Sequence, residues 1–134
     1  MGGIDVLEAG LIDRTSPESL PARERIAKRR DFLRAYDEGQ KEFARFSVVF
    51  AVANGLGHPR LGITVTKKAG KSTVRNRLRR WVREIYRRIR IETGLEDRGL
   101  DLVVNVKPAA AGCTFQEFSQ DLKRVLAKSS SRAS

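Results

Sequence analysis

Residues 60–84 read Arg60-Leu-Gly-Ile-Thr-Val-Thr-Lys-Lys-Ala-Gly-Lys-Ser-Thr-Val-Arg-Asn-Arg-Leu-Arg-Arg-Trp-Val-Arg-Glu84, and two periodicities meet inside them. From Arg60 to Thr66, Leu61, Ile63 and Val65 alternate with Gly62, Thr64 and Thr66, the period of a strand. From Ser72 to about Ile91 the apolar residues Val74, Leu78, Trp81, Val82, Ile85 and Ile89 recur at helical spacing and form one stripe. Ser72 or Thr73 is the expected N-cap. A strand therefore feeds a long amphipathic helix through a lysine-rich turn. Trp81 reads as a packing residue of the apolar stripe.

Outward from this unit, elements of both kinds continue. Pro21 to about Asp37 reads as a helix, with Ile26, Phe32, Leu33 and Tyr36 near helical spacing and Gly39 as its stop. Phe43 to Ala53 is Val- and Phe-rich and ends at Asn54-Gly55, a strand closed by a turn. Leu100 to Val106 is a third strand, stopped by Pro108. Thr114 to Leu126 is a last helix, capped by Thr114, with Phe115, Phe118, Leu122, Val125 and Leu126 on one side. The expected fold class is α+β: a small two-layer α/β sandwich in αββαβα order with a mostly antiparallel sheet. Residues 1–21, rich in Gly and acids, read as a mobile N-terminal extension, 22–127 as one domain and 128–134 as a disordered polar tail.

The chain has 134 residues and a net charge of +11. Residues 67–90 hold eleven basic side chains against the single acid Glu84, so that segment carries ten of the eleven excess charges. A neutral body with one such segment points to a polyanionic partner. Arg75, Arg79 and Arg83 follow an i, i+4 row, with Asn76, Arg80 and Arg87 on neighbouring rows, and the pattern predicts a continuous basic outer face. Lys67, Lys68 and Lys71 precede the helix N-terminus, whose free N–H groups also favour anions. Glu84 is expected to pair with Arg80, Arg87 or Arg88.

Enzymatic chemistry borne by the chain itself is poorly supported. Gly70-Lys71-Ser72 resembles the end of a P-loop, but the required earlier glycine is Val65. The carboxylates lack metal-ligand spacing, His58 is the only histidine, and the one cysteine, Cys113, reads as a small apolar filler. No apolar run reaches bilayer length and no secretory signal is evident, so a cytoplasmic protein is expected, with no membrane partner. What remains is nucleic-acid binding. Phe32, Tyr36 and Phe50 would line a base-stacking groove if the first helix packs over the sheet; composition alone favours the core for all three.

Lys67-Lys68-Ala-Gly-Lys71-Ser-Thr-Val-Arg75-Asn76-Arg77 with the basic pairs that follow, Asp31-Phe32 with Tyr36 and Gly39, Arg60 to Lys68, and Leu102-Val-Val-Asn-Val-Lys-Pro108 together resemble the protein subunit of bacterial ribonuclease P. The resemblance covers roughly residues 21–126. It implies a left-handed βαβ crossover, against the usual preference. It also implies a holoenzyme in which the RNA subunit, with bound Mg²⁺ and no organic cofactor, removes the 5′ leader of precursor tRNA, while the protein binds that RNA and the leader and does not cleave alone. By position, Lys67, Lys68, Lys71, Arg75, Asn76, Arg77, Arg79, Arg80 and Arg83 would face the RNA subunit, and Phe32, Tyr36 and Phe50 the leader. DNA is not an expected partner. The alternative is a non-enzymatic RNA- or ribosome-associated protein of the same fold class. The early acidic extension and a C-terminal tail lacking an aromatic depart from the family pattern.

Overall fold

The computed structural model describes residues 20–132. Helices are α1 (Arg29–Glu38), α2 (Ser72–Glu92) and α3 (Phe115–Arg132); strands are β1 (Gln40–Phe43), β2 (Ser47–Ala53), β3 (Arg60–Val65) and β4 (Leu100–Val106). The sheet order is β1-β2-β4-β3. β1 pairs antiparallel with β2, and β2 antiparallel with β4. β3 runs parallel to β4, with α2 as the crossover between them.

Strand alternation sends the two sheet faces to different partners. Val49, Ala51, Leu61, Ile63, Val65, Leu102 and Val104 pack under α2 and α3 with Leu78, Val82, Ile85, Phe118, Leu122 and Leu126. The opposite face, through Phe50, Val52 and Val103, receives Ile26 and then Phe32 and Ala35 of α1. The two-layer sandwich is thus complete on one face, and α1 covers part of the second.

Several expected boundaries move. The helix expected from Pro21 begins only at Arg29. Ala22–Glu24 form a 3-10 turn, and Arg25 bridges to Leu61 because the chain adds briefly to the edge of β3, with the Ile26 N–H donating to the Leu61 carbonyl at 3.0 Å. The single strand expected over 43–53 is a hairpin: the chain reverses at Ala44-Arg45-Phe46, so the order is αβββαβα. Of the extension expected over 1–21, residues 1–19 lie outside the described residues, while Leu20, 4% exposed, belongs to the core. The tail expected from 128 is helical as far as Arg132, and residues 133–134 lie outside the described residues.

The α3 N-terminus forms as read. Thr114 and Glu117 build a reciprocal capping box, the Glu117 N–H donating to Thr114 Oγ1 at 3.1 Å and the Thr114 N–H to Glu117 Oε1 at 2.9 Å. The bonds Thr114 makes to the carboxylate hold Glu117 below the usual carboxylate range. α2 differs: its N-cap is Lys71, with no side-chain cap, rather than Ser72 or Thr73. The turn before it needs Gly70, whose φ of +139° is disfavoured for residues with a Cβ.

Candidate nucleic-acid interface

At the carboxyl ends of the parallel strands, β3 leads through a 3-10 turn (Lys67–Ala69) into α2. Lys67, Lys68, Lys71, Asn76 and Arg80 are exposed, and Arg75 and Arg77 half-buried. Arg75 Nε donates to the Gly70 carbonyl at 3.2 Å, holding that guanidinium beside the turn. The Arg77 guanidinium carbon sits 5.3 Å from the centre of the Trp81 ring, and Trp81 packs on Phe115 and Phe118. The uncapped first turn adds outward N–H groups to this cluster.

Two expected members of the basic face stand elsewhere. Arg79 is 0% and Arg83 3% exposed, in a buried row with Tyr86. Arg79 Nη1 donates to Asn76 Oδ1 at 3.2 Å. The N-terminal segment reaches the same helix: Leu20 joins the core that holds Tyr86, and the Glu24 carboxylate pairs with Arg90 one turn on. Glu84 pairs with Arg88 at 2.8 Å, one of the expected partners.

The aromatic trio divides similarly. Phe32 and Phe50, 0% and 2% exposed, form the α1–sheet core and present no ring face to a ligand. Tyr36 is half-buried, its ring edge-on to Phe50 at 4.9 Å and its hydroxyl donating to Asn105 Oδ1 at 3.0 Å. Burial raises its pKa, outweighing the hydrogen bonds to Thr64 and Asn105, so the hydroxyl stays protonated and donating near neutral pH.

α1 leaves one row of the sheet only partly covered, open at its β1 end. The register aligns Phe43, Val48, Asn105 and Thr64 across β1, β2, β4 and β3. Phe43 is exposed, Val48 and Asn105 half-buried and Thr64 buried. Thr64 Oγ1 also donates to Asn105 Oδ1, at 2.5 Å, so the carboxamide oxygen takes two donors and its NH₂ group is left for the open side. This row lies at the same end of β3 and β4 as the lysine turn. Phe43, Lys41 and Asn105 were not legible as site residues: only register brings them beside Tyr36.

α1 is fixed over the rest of that face by a buried fork. Arg60 Nε and Nη2 donate to the two oxygens of Asp101 at 2.8 and 2.7 Å, and Asp31 of α1 stands 3.6 Å from Nη2. The bond to Asp101 raises the Arg60 pKa. Asn54 Nδ2 closes the network on Asp101 at 2.9 Å. His58 Nδ1 lies 3.2 Å from the Pro59 carbonyl, and Cys113, half-buried against the core, donates to the Ala110 carbonyl. Among the described residues, no group of three or more His, Cys, Asp or Glu could hold a metal ion, and no helix is long and apolar enough to cross a membrane.

A basic helix start beside a partly open sheet row with aromatic and amide groups defines a small α+β polyanion-binding protein. The ribonuclease P family model matches residues 20–130, and the chain belongs to that family. It is similar to the ribonuclease P protein component of Thermotoga maritima, 48% identical over 87 residues that span 65% of this chain and 72% of that protein. The component from Syntrophus aciditrophicus is 33% identical over 82% of this chain and 90% of its own length. Among solved structures, the ribonuclease P protein from Thermotoga maritima matches with a TM-score of 0.69 and 38% identity, covering 79% of this chain and 97% of that one. That from Staphylococcus aureus matches with a TM-score of 0.70 and 32% identity, covering 77% and 92%. The family read from Lys67 to Glu84 and the α+β fold therefore both hold.

Proposed function

We propose that this ribonuclease P subunit grips the catalytic RNA with the α2 N-terminus and its lysine turn, and holds the 5′ leader of precursor tRNA over the open sheet row. The RNA, with its Mg²⁺, breaks the phosphodiester bond. The assignment rests on one juxtaposition: Lys67, Lys68, Lys71, Arg75, Asn76, Arg77 and Arg80 gather at the end of the sheet where Tyr36, Val48 and Asn105 are half-exposed. Contact with phosphates by these cations releases counterions from the RNA and supplies sequence-independent affinity. Arginine adds bidentate geometry that fixes register on the backbone. The sheet row then receives a single strand whose unpaired bases stack without sequence readout. Neutralising phosphates near the cleavage site lowers the Mg²⁺ concentration the RNA requires.

The experiment is 5′ cleavage of labelled precursor tRNA at low Mg²⁺ by the protein alone, by a bacterial ribonuclease P RNA alone, and by both. Correct cleavage only with both is the expected result. Cleavage by protein alone would move the chemistry onto the chain. Binding without stimulation would leave a non-enzymatic RNA- or ribosome-associated role.

A further inference from the structure

We propose that Phe43 and Lys41 on the edge strand β1 form an added contact for the leader, Phe43 stacking on a base and Lys41 taking a neighbouring phosphate. The inference rests on the leader-binding reading above and extends that track to the free edge of the sheet. Among the exposed large apolar side chains of the described residues, Phe43 is the aromatic one, at 66%. A single exposed apolar residue is ordinary on a protein surface; the position of this one is not. Phe43 pairs in register with Val48, so its ring is at the open end of the row that runs through half-buried Val48 and Asn105 to buried Thr64, beside the lysine turn. Four strands at 4.7–4.9 Å spacing make that row roughly 14 Å long.

Lys41, two residues earlier and therefore on the same face, places Nζ 5.5 Å from the Phe43 ring centre and 5.4 Å from that of Phe50. An ammonium between an exposed ring and a buried one sits where the backbone of a strand would pass once a base lies on Phe43. Charge complementarity names the occupant: ten of the eleven excess positive charges lie in residues 67–90, which begin at the other end of this row. Phe32 and Phe50 are sealed in the core, so stacking area on this face falls to Tyr36 and Phe43. An exposed Phe on an open edge strand also invites pairing between copies, and that is the competing occupant.

The test uses the reconstituted protein–RNA holoenzyme with Phe43→Ala and Phe43→Trp, on precursor tRNAs from leaderless upward in leader length. A second readout places 2-aminopurine at successive leader positions. Phe43→Ala is expected to weaken binding of long-leader substrates by about fivefold or more, the lower end for one stacked base. Leaderless tRNA should bind unchanged, Phe43→Trp should restore affinity, and quenching should be lost at one leader position. Wild-type protein with leader-length dependence and an unaffected Phe43→Ala overturns this inference alone. Equal loss on leaderless tRNA overturns it too, as does loss of self-association in sedimentation with leader affinity intact. Wild-type protein with no leader-length dependence overturns the leader reading beneath it.

Discussion

Arg79 and Arg80 are adjacent, chemically identical and oppositely placed: the first is 0% exposed, the second open to solvent. The apolar stripe of α2 was legible because Leu78, Val82, Ile85 and Ile89 repeat at helical spacing. The burial of Arg79 and Arg83 was not, since the covering elements lie far off in sequence and an arginine row carries no apolar signal. The two neighbours should therefore fail differently. Arg80→Ala removes an exposed cation, so it should reduce the salt dependence of RNA-subunit binding by about one phosphate contact without lowering the melting temperature, which relief of repulsion nudges upward at low ionic strength. Arg79→Ala empties a buried site and strips Asn76 of its donor. It should cost on the order of 2 kcal/mol and lower the melting temperature by roughly 5–10 °C. Salt titrations of binding and thermal melts of both variants check this. Matching effects in both assays would contradict the assigned burial.

Among the elements, α1 governs the open row, because its position decides how much of the sheet face stays bare. β3 and β4 were readable from alternation and a short apolar run, and α3 from its capping residues. The β1–β2 reversal was hidden: Ala44-Arg45-Phe46 contains no Gly, Pro or Asn. It is held instead by Asp121 of α3, whose carboxylate accepts the Arg45 and Phe46 N–H groups at 3.1 and 3.0 Å from some 75 residues away. Without that reversal Phe43 could not be placed on the row. α1 in turn sits against Gly62, where a Cβ would come within 2.8 Å of the Phe32 ring and 3.2 Å of Ile26 Cβ. Phe32 is wholly buried, so the added methyl must push α1 outward. Gly62→Ala should destabilise the fold by about 1–3 kcal/mol, as overpacking does, and displace Tyr36 from Asn105. Urea unfolding gives the first quantity. Comparing precursor with mature tRNA gives the second, and a loss confined to the precursor is expected. Unchanged stability would mean that α1 slides on the sheet at little cost.

For the molecule as a whole, the concentration of charge at one end opposes folding of the free protein. Some of the charge on α2 is compensated internally, through the Arg88–Glu84 and Arg90–Glu24 pairs. Lys67, Lys68, Lys71 and Arg80 remain exposed together, and their repulsion is present in the native state more than in an expanded chain. An anion that binds this end only in the folded state adds RT ln(1 + [L]/Kd) of stability, about 2.7 kcal/mol at a hundredfold excess over Kd. The melting temperature should thus rise with salt from low ionic strength, and further with sulfate than with chloride at equal ionic strength. Sulfate also strengthens apolar burial in any protein, so the deciding comparison is the combined Lys67→Ala, Lys68→Ala, Lys71→Ala variant. It should melt higher than the parent at low ionic strength, because repulsion is relieved, and should keep the general sulfate effect while losing the extra part. A variant that melts no higher and responds to sulfate as the parent does would show that the lysine turn neither strains the free protein nor gathers anions.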